Sequence, residues 1–265
     1  MSNSASASIN FDWAADFYDQ TRTLSPTMSE AMLNMIRERV PASGSRFLEL
    51  GVGTGRIAVP ILNAGYPLVG IDLSRAMMSR MQAKLPPTQR AALVQGDVTW
   101  LPFPDDSFDA ALAVHVFHLV GGWRTALAET QRVLKPGGFL FYDATQRASG
   151  GLDNEVRRKL RELVRARGGD IKRPGGERED VLAALTEIGA TVETVEVAHW
   201  ERTHSIRDII DQLASRKYST TQLVPEEVLA PAIAELRVWA EERWGDLDAP
   251  HTEPGGFTWQ VARFP

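Results

Sequence analysis

The chain contains no cysteine, which removes disulfides, thiolate metal ligands and a cysteine nucleophile in one step. It also has no run of about 18 consecutive apolar residues, and its opening MSNSASASIN carries no apolar stretch of the kind that directs export. No membrane span and no secretion are expected, and a reducing cytoplasm is the expected compartment. A basic surplus is missing too: 29 Lys and Arg face 34 Asp and Glu, for a formal charge of −5. Nucleic-acid binding relies on neutralising a phosphate backbone, so no nucleic-acid partner is expected. Among the five histidines no pair has the His-x-x-x-His spacing of a helical zinc site, and no metal is expected.

The chain has 265 residues, 43% of them hydrophobic, with 21 glycines. That is enough to bury a full core. Short apolar runs alternate with helical patterns through the first 150 residues, as in a parallel sheet wrapped by helices. The pattern predicts strands over Arg46–Leu50, Pro67–Asp72, Ala91–Gln95, Phe108–Val114 and Phe139–Asp143, and helices over Ser29–Arg39, after Ser74 and from Trp123. Lys135-Pro136-Gly137-Gly138 reads as a helix stop and tight turn. Later come charged helices at Asp153–Ala166 and Glu177–Ile188, a strand at Thr191–His199, helices at Ile206–Ser215 and Pro225–Trp244, and a strand at Phe257–Phe264. The expected organisation is a disordered leader (1–10), an N-terminal helical segment covering the site (11–45), a doubly wound α/β core (46–203), a helical lid (204–250) and a final strand (251–265). Tyr218, Trp239 and Trp244 give the lid aromatic mass, which a plain packing role for the helices would equally use.

The densest chemical signal is Glu49-x-Gly51-x-Gly53-x-Gly55 at the end of the first strand. A dinucleotide loop would read G-x-G-x-x-G, and the place of its third glycine holds Arg56. Glu49 would also repel a pyrophosphate, so a ligand with a positive centre fits better. With Asp72 closing the second strand, these residues closely resemble the first two motifs of the class I S-adenosylmethionine-dependent methyltransferases. Gln95-Gly96-Asp97-Val98 and the Leu101–Asp109 segment resemble that family's third motif, and Arg132–Gly138 its run before the fifth strand. The nearest subgroup is the small-molecule enzymes that resemble the ubiquinone and menaquinone biosynthesis methyltransferases.

The resemblance implies a mainly parallel, Rossmann-like sheet of seven strands, with a helical lid inserted between the last two. It implies S-adenosyl-L-methionine as cofactor, S-adenosyl-L-homocysteine as product and a small-molecule methyl acceptor. Gly51, Gly53 and Gly55 would let the backbone approach the cofactor, and Asp72, with Leu73 beside it, would take the ribose hydroxyls. Asp97 would take the adenine amino group and the Val98 N–H a ring nitrogen. Tyr18 and Arg22, in a Tyr-Asp-x-x-Arg pattern that family members place before the first core helix, would fold over the cofactor.

His115 and His118 close the fourth strand, whose carboxyl end points at the transferring methyl in this family. Imidazole titrates near neutral pH, so either could deprotonate an acceptor, with His115 the better placed, and either could instead be a structural residue. His199 and His204 flank the lid and are weaker candidates. Three readings stay open on the residues alone: a methyltransferase, a protein that binds S-adenosylmethionine as sensor or scaffold, and a nicotinamide-dependent oxidoreductase, against which Glu49 and Arg56 speak. The acceptor atom and the oligomeric state are not fixed by the sequence.

Overall fold

The computed structural model describes residues 8–21, 24–89, 91–145, 151–171, 174–217 and 219–265. Seven strands form one sheet: β1 (Phe47–Leu50), β2 (Leu68–Asp72), β3 (Ala92–Gln95), β4 (Phe108–Ala113), β5 (Leu134–Thr145), β6 (Thr191–His204) and β7 (His251–Arg263), in the spatial order β3-β2-β1-β4-β5-β7-β6. The first five strands are parallel to their neighbours, and β7 runs antiparallel to β5. The order reverses between β1 and β4, the switch point where an open α/β sheet presents its ligand crevice. β1 lies at that point, and all four of its residues are buried, which is why FLEL is apolar on both faces apart from Glu49.

The helices are α1 (Tyr18–Thr21), α2 (Pro26–Arg37), α3 (Ala58–Asn63), α4 (Arg75–Lys84), α5 (Trp123–Val133), α6 (Leu152–Ala166), α7 (Arg178–Glu187), α8 (Ile206–Ala214), α9 (Ser219–Gln222) and α10 (Glu226–Trp244). α2 starts three residues before the expected Ser29, because Ser25 caps it by accepting the Met28 N–H and Pro26 occupies the first turn. β5 begins at Leu134, so Lys135–Gly138 is not the turn outside a strand that the sequence suggests. The pairing with β4 jumps from Phe108↔Leu134 to Ala110↔Phe139, and the turn is absorbed as an irregularity within the ladder. Within the expected leader the Ile9 N–H donates to Leu119 O; residues 1–7 lie outside the described residues.

The chain divides into two compact units. The first holds α1–α5, β1–β5, α7 and the sheet portions 191–198 and 257–265. Its core joins Leu48, Leu50, Ile71, Phe108, Ala111, Phe117, Leu140 and Tyr142 with Val181 and Leu185 of α7. The second holds α6, α8–α10 and residues 199–204 and 251–256. Its core joins Val156, Leu160 and Val164 of α6 with Ile206, Ile209, Ile210 and Leu213 of α8 and Leu229, Ile233 and Leu236 of α10. The division differs from the expected boundary at residue 203: α6 groups with the later helices, because its apolar stripe packs on theirs. Helical periodicity shows that a stripe exists and says nothing about its partner. Leu213 and Val224 belong to this second core, and the partly buried Trp239 and Trp244 pack against it, their indoles edge to face at 5.1 Å. Tyr218 lies outside the described residues. Among the described residues no helix is long and apolar enough to cross a membrane.

One glycine links the fold to the site. A Cβ on Gly70, in β2, would stand 2.7–2.8 Å from three atoms of Val52 in the loop after β1. Gly70→Ala is therefore expected to cost ~1–3 kcal/mol by overpacking, read as a lower midpoint in urea at unchanged slope.

Candidate functional site

The loop Gly51–Gly55 leaves β1 with positive φ at Gly51 (61°), Gly53 (53°) and Gly55 (77°). At two of these positions space is as decisive as conformation. A Cβ on Gly51 would lie 2.7 Å from Val116 Cγ2, and one on Gly55 would lie 2.5 Å from Met81 Cγ. At these two glycines the loop passes between α4 and the loop after β4 with no room for a side chain, and its Val52, Gly53 and Gly55 N–H groups donate to Ile71 O, Asp72 Oδ2 and Val52 O.

Two carboxylates flank this loop. Glu49 is 3% exposed, accepts the Ala58 N–H at the start of α3, and has one oxygen, Oε2, buried without a hydrogen-bond partner. Desolvation holds its pKa well above the ordinary glutamate range; the charge of Arg56 opposes that shift and the charge of Asp72 adds to it. Asp72, at the end of β2, accepts from Gly53 N–H and Ser74 N–H, both at 2.8 Å. Its pKa is also raised, because burial outweighs those bonds. Asp72 thereby ties the glycine loop to the first turn of α4, where Ser74 is the N-cap and accepts the Met77 N–H.

Asp97 follows β3, which lies beside β2, and the Gly96 N–H donates to Asp72 O. Oδ1 of Asp97 accepts the Thr99 N–H and hydroxyl, both at 2.9 Å, while Oδ2 takes the Ser8 hydroxyl at 3.2 Å. Val98 beside it is buried in the core, and Leu73 O accepts from Gln95 Nε2.

An N-terminal strap runs along the same strand ends. Asp12 accepts the Ser74 hydroxyl at 2.5 Å, Asp16 pairs with Arg80, and Asp19 binds both Lys84 at 2.7 Å and the Thr54 hydroxyl at 2.6 Å. The bond from Ser74 is the main cause that holds the Asp12 pKa below the ordinary range. Phe11 stacks on Trp13 and meets Tyr18 edge to face. On the far side of the loop, His115 follows β4 with φ at 59°, a left-handed backbone rare for a residue with a Cβ. His118 lies in the 3-10 turn Phe117–Leu119, and the two imidazoles are 6.1 Å apart.

Comparison with known proteins decides what this arrangement belongs to. Residues 48–142 match the methyltransferase domain family. An uncharacterized methyltransferase of Mycobacterium bovis is 31% identical over 230 residues, which cover 87% of this chain and 85% of the relative. The chain belongs to the methyltransferase family. A demethylmenaquinone methyltransferase of Clavibacter sepedonicus is 35% identical over 133 residues, covering 49% of this chain and 54% of the relative. Among solved structures, a phosphoethanolamine N-methyltransferase of Haemonchus contortus in complex with phosphomonomethylethanolamine and S-adenosylhomocysteine superposes with a TM-score of 0.50 at 17% identity. It covers 95% of this chain and 60% of that one, and shows the shared fold.

In this methyltransferase the structure gathers Glu49, Gly51, Gly53, Gly55, Asp72, Leu73, Asp97 and Val98 at neighbouring strand ends, with Tyr18 in the strap and His115 and His118 across the loop. Arg22 lies outside the described residues. His204 belongs to the second unit, where its Nε2 lies 3.2 Å from Glu253 Oε2, and His199 belongs to that unit as well. Sequence reasoning missed the strap's anchors. The available signal was the four-then-three spacing of Asp12, Asp16 and Asp19, facing Ser74, Arg80 and Lys84 of one helix.

Proposed function

We propose that this methyltransferase uses S-adenosylmethionine to methylate a small-molecule acceptor. The observation that carries the reading is the buried, unpartnered Glu49 Oε2 beside a glycine loop held at its middle, Gly53, by Asp72. A buried carboxylate oxygen without a donor is costly, and a cationic donor seated there relieves it. That requirement fits the methionine part of the cofactor and opposes a pyrophosphate. Gly51, Gly53 and Gly55 would face this part, Asp72 and Leu73 the ribose, and Asp97 and Val98 the adenine, with the strap and Tyr18 covering them. The Ser8 hydroxyl, a single long bond on Asp97, is readily exchanged for an adenine amino group.

When bound, the cofactor would supply an activated methyl group, its sulfur keeping the electron pair of the carbon–sulfur bond as the acceptor takes the methyl and sheds a proton. The chain's task is alignment and exclusion of water, which can lower the barrier by about 7–11 kcal/mol. His115, with His118 as its neighbour, takes the acceptor proton where the acceptor is a hydroxyl or amine.

The test is a screen of phenols, quinols, amines, thiols and carboxylates, followed by release of S-adenosylhomocysteine. Turnover of at least one class, lost in His115→Ala together with His118→Ala for acceptors that must shed a proton, is expected. Cofactor binding without turnover of any class would mark a sensor instead.

A further inference from the structure

The segment Pro174-Gly175-Gly176, which precedes α7, lies in the same compact unit as the histidine loop and touches it with main chain only. The Gly175 N–H donates to His118 O at 3.1 Å, and the Gly176 N–H donates to Phe117 O at 3.2 Å. These are two successive bonds to two successive carbonyls. No side chain fits at Gly175, where a Cβ would stand 1.8 Å from Phe117 O and 2.6 Å from His118 C, and one on Gly176 would have to displace the Trp123 indole, whose Cε2 would lie 2.6 Å away. The first obstacle is backbone, which cannot swing aside as a flexible side chain can.

The same loop is held from two other directions. Gly51 of the cofactor-binding loop lies flat against Val116, and Leu119 O accepts the Ile9 N–H of the strap at 3.1 Å. Between these contacts His115 keeps a left-handed backbone, a conformation that costs ~1–3 kcal/mol and persists only where its surroundings over-determine it.

We propose that Gly175 and Gly176 are positioning residues: their bare backbone clamps Phe117 and His118 against the glycine loop and so fixes where the His115 and His118 imidazoles stand. The clamp deepens the proposed function by naming what aims the two bases, and it rests on that reading only for the use made of the histidines. Alanine at either position wedges the clamp open, so the rings shift while the cofactor loop, held separately by Asp72, stays in place.

The full chain labelled with 13C at histidine Cε1 tests this directly, because its five histidines supply their own controls. Resonances are assigned with single His→Gln variants, and spectra are recorded with and without S-adenosylhomocysteine. In Gly175→Ala the His115 and His118 resonances are expected to move and their titration midpoints to shift by roughly 0.3 pH units or more. His199, His204 and His251 should stay in place. Gly176→Ala, which meets a movable indole, should give the same pattern at smaller amplitude and covers the case in which Gly175→Ala does not fold. The proposal is overturned if a folded variant leaves the His115 and His118 signals unchanged, or if all five histidines move together. Loss of S-adenosylhomocysteine binding in the unaltered protein would defeat the proposed function while leaving the clamp to be judged on the histidine signals alone.

Discussion

Asp72→Ala is expected to weaken S-adenosylmethionine binding at least a hundredfold while shifting the thermal midpoint of the ligand-free protein by only a few degrees. The two effects separate because Asp72 does different work in the two states. In the proposed cofactor complex it would offer a charged acceptor for ribose hydroxyls, each such bond contributing ~1.5–3 kcal/mol, so losing two exceeds the ~2.7 kcal/mol of a hundredfold change. In the ligand-free chain its bonds from Gly53 and Ser74 are offset by the burial that raises its pKa. Titration calorimetry alongside thermal denaturation reads both quantities. A large loss of stability with unchanged affinity would show Asp72 to be a structural tie and nothing more.

Glu49→Gln is the second large effect, and its sign reverses between binding and stability. Burial raises the Glu49 pKa, so in the ligand-free protein the folded state holds its proton more tightly than the unfolded state. Across the window from the ordinary glutamate range up to that raised value, the folded state binds more protons and stability falls as pH rises. Glutamine removes that slope, and the variant should be at least as stable as the natural protein at pH 8. Cofactor affinity behaves in the opposite way. The ionised carboxylate attracts a cationic ligand, so affinity should rise with pH through the raised Glu49 value, and the variant should bind about 10–100-fold more weakly with a flattened profile. Binding isotherms at half-unit steps from pH 5.5 to 8.5 check both, and a variant with the natural pH profile would remove Glu49 from the cofactor site.

The parts of the site that could be read from the sequence are those built from neighbours in the chain. Glu49 through Gly55 is one strand end and one turn, and Asp72 and Asp97 each close a strand, so apolar runs and turn chemistry place them without tertiary knowledge. What escaped reading depends on partners far apart in sequence. Asp12 meets Ser74, 62 positions away, and Asp16 meets Arg80, 64 positions away. Exposed acidic residues read as a solvated face until the opposing helix is placed. Gly175 and Gly176 sit in a glycine-proline stretch, and only the backbone of Phe117 and His118 against Gly175 and the Trp123 indole against Gly176 show what a side chain there would meet. The same limit explains α6: the sequence reads as a charged helix there, and its packing against α8 and α10 shows only in the fold.

The most direct test of the central claim, that the crevice at the end of β1 takes a cationic nucleoside, is calorimetry of the unaltered chain with S-adenosylmethionine, S-adenosylhomocysteine and NAD in parallel. Binding of the first two at one per chain, with no heat from NAD, is the expected result. Saturable NAD binding with neither sulfur nucleoside bound would contradict it.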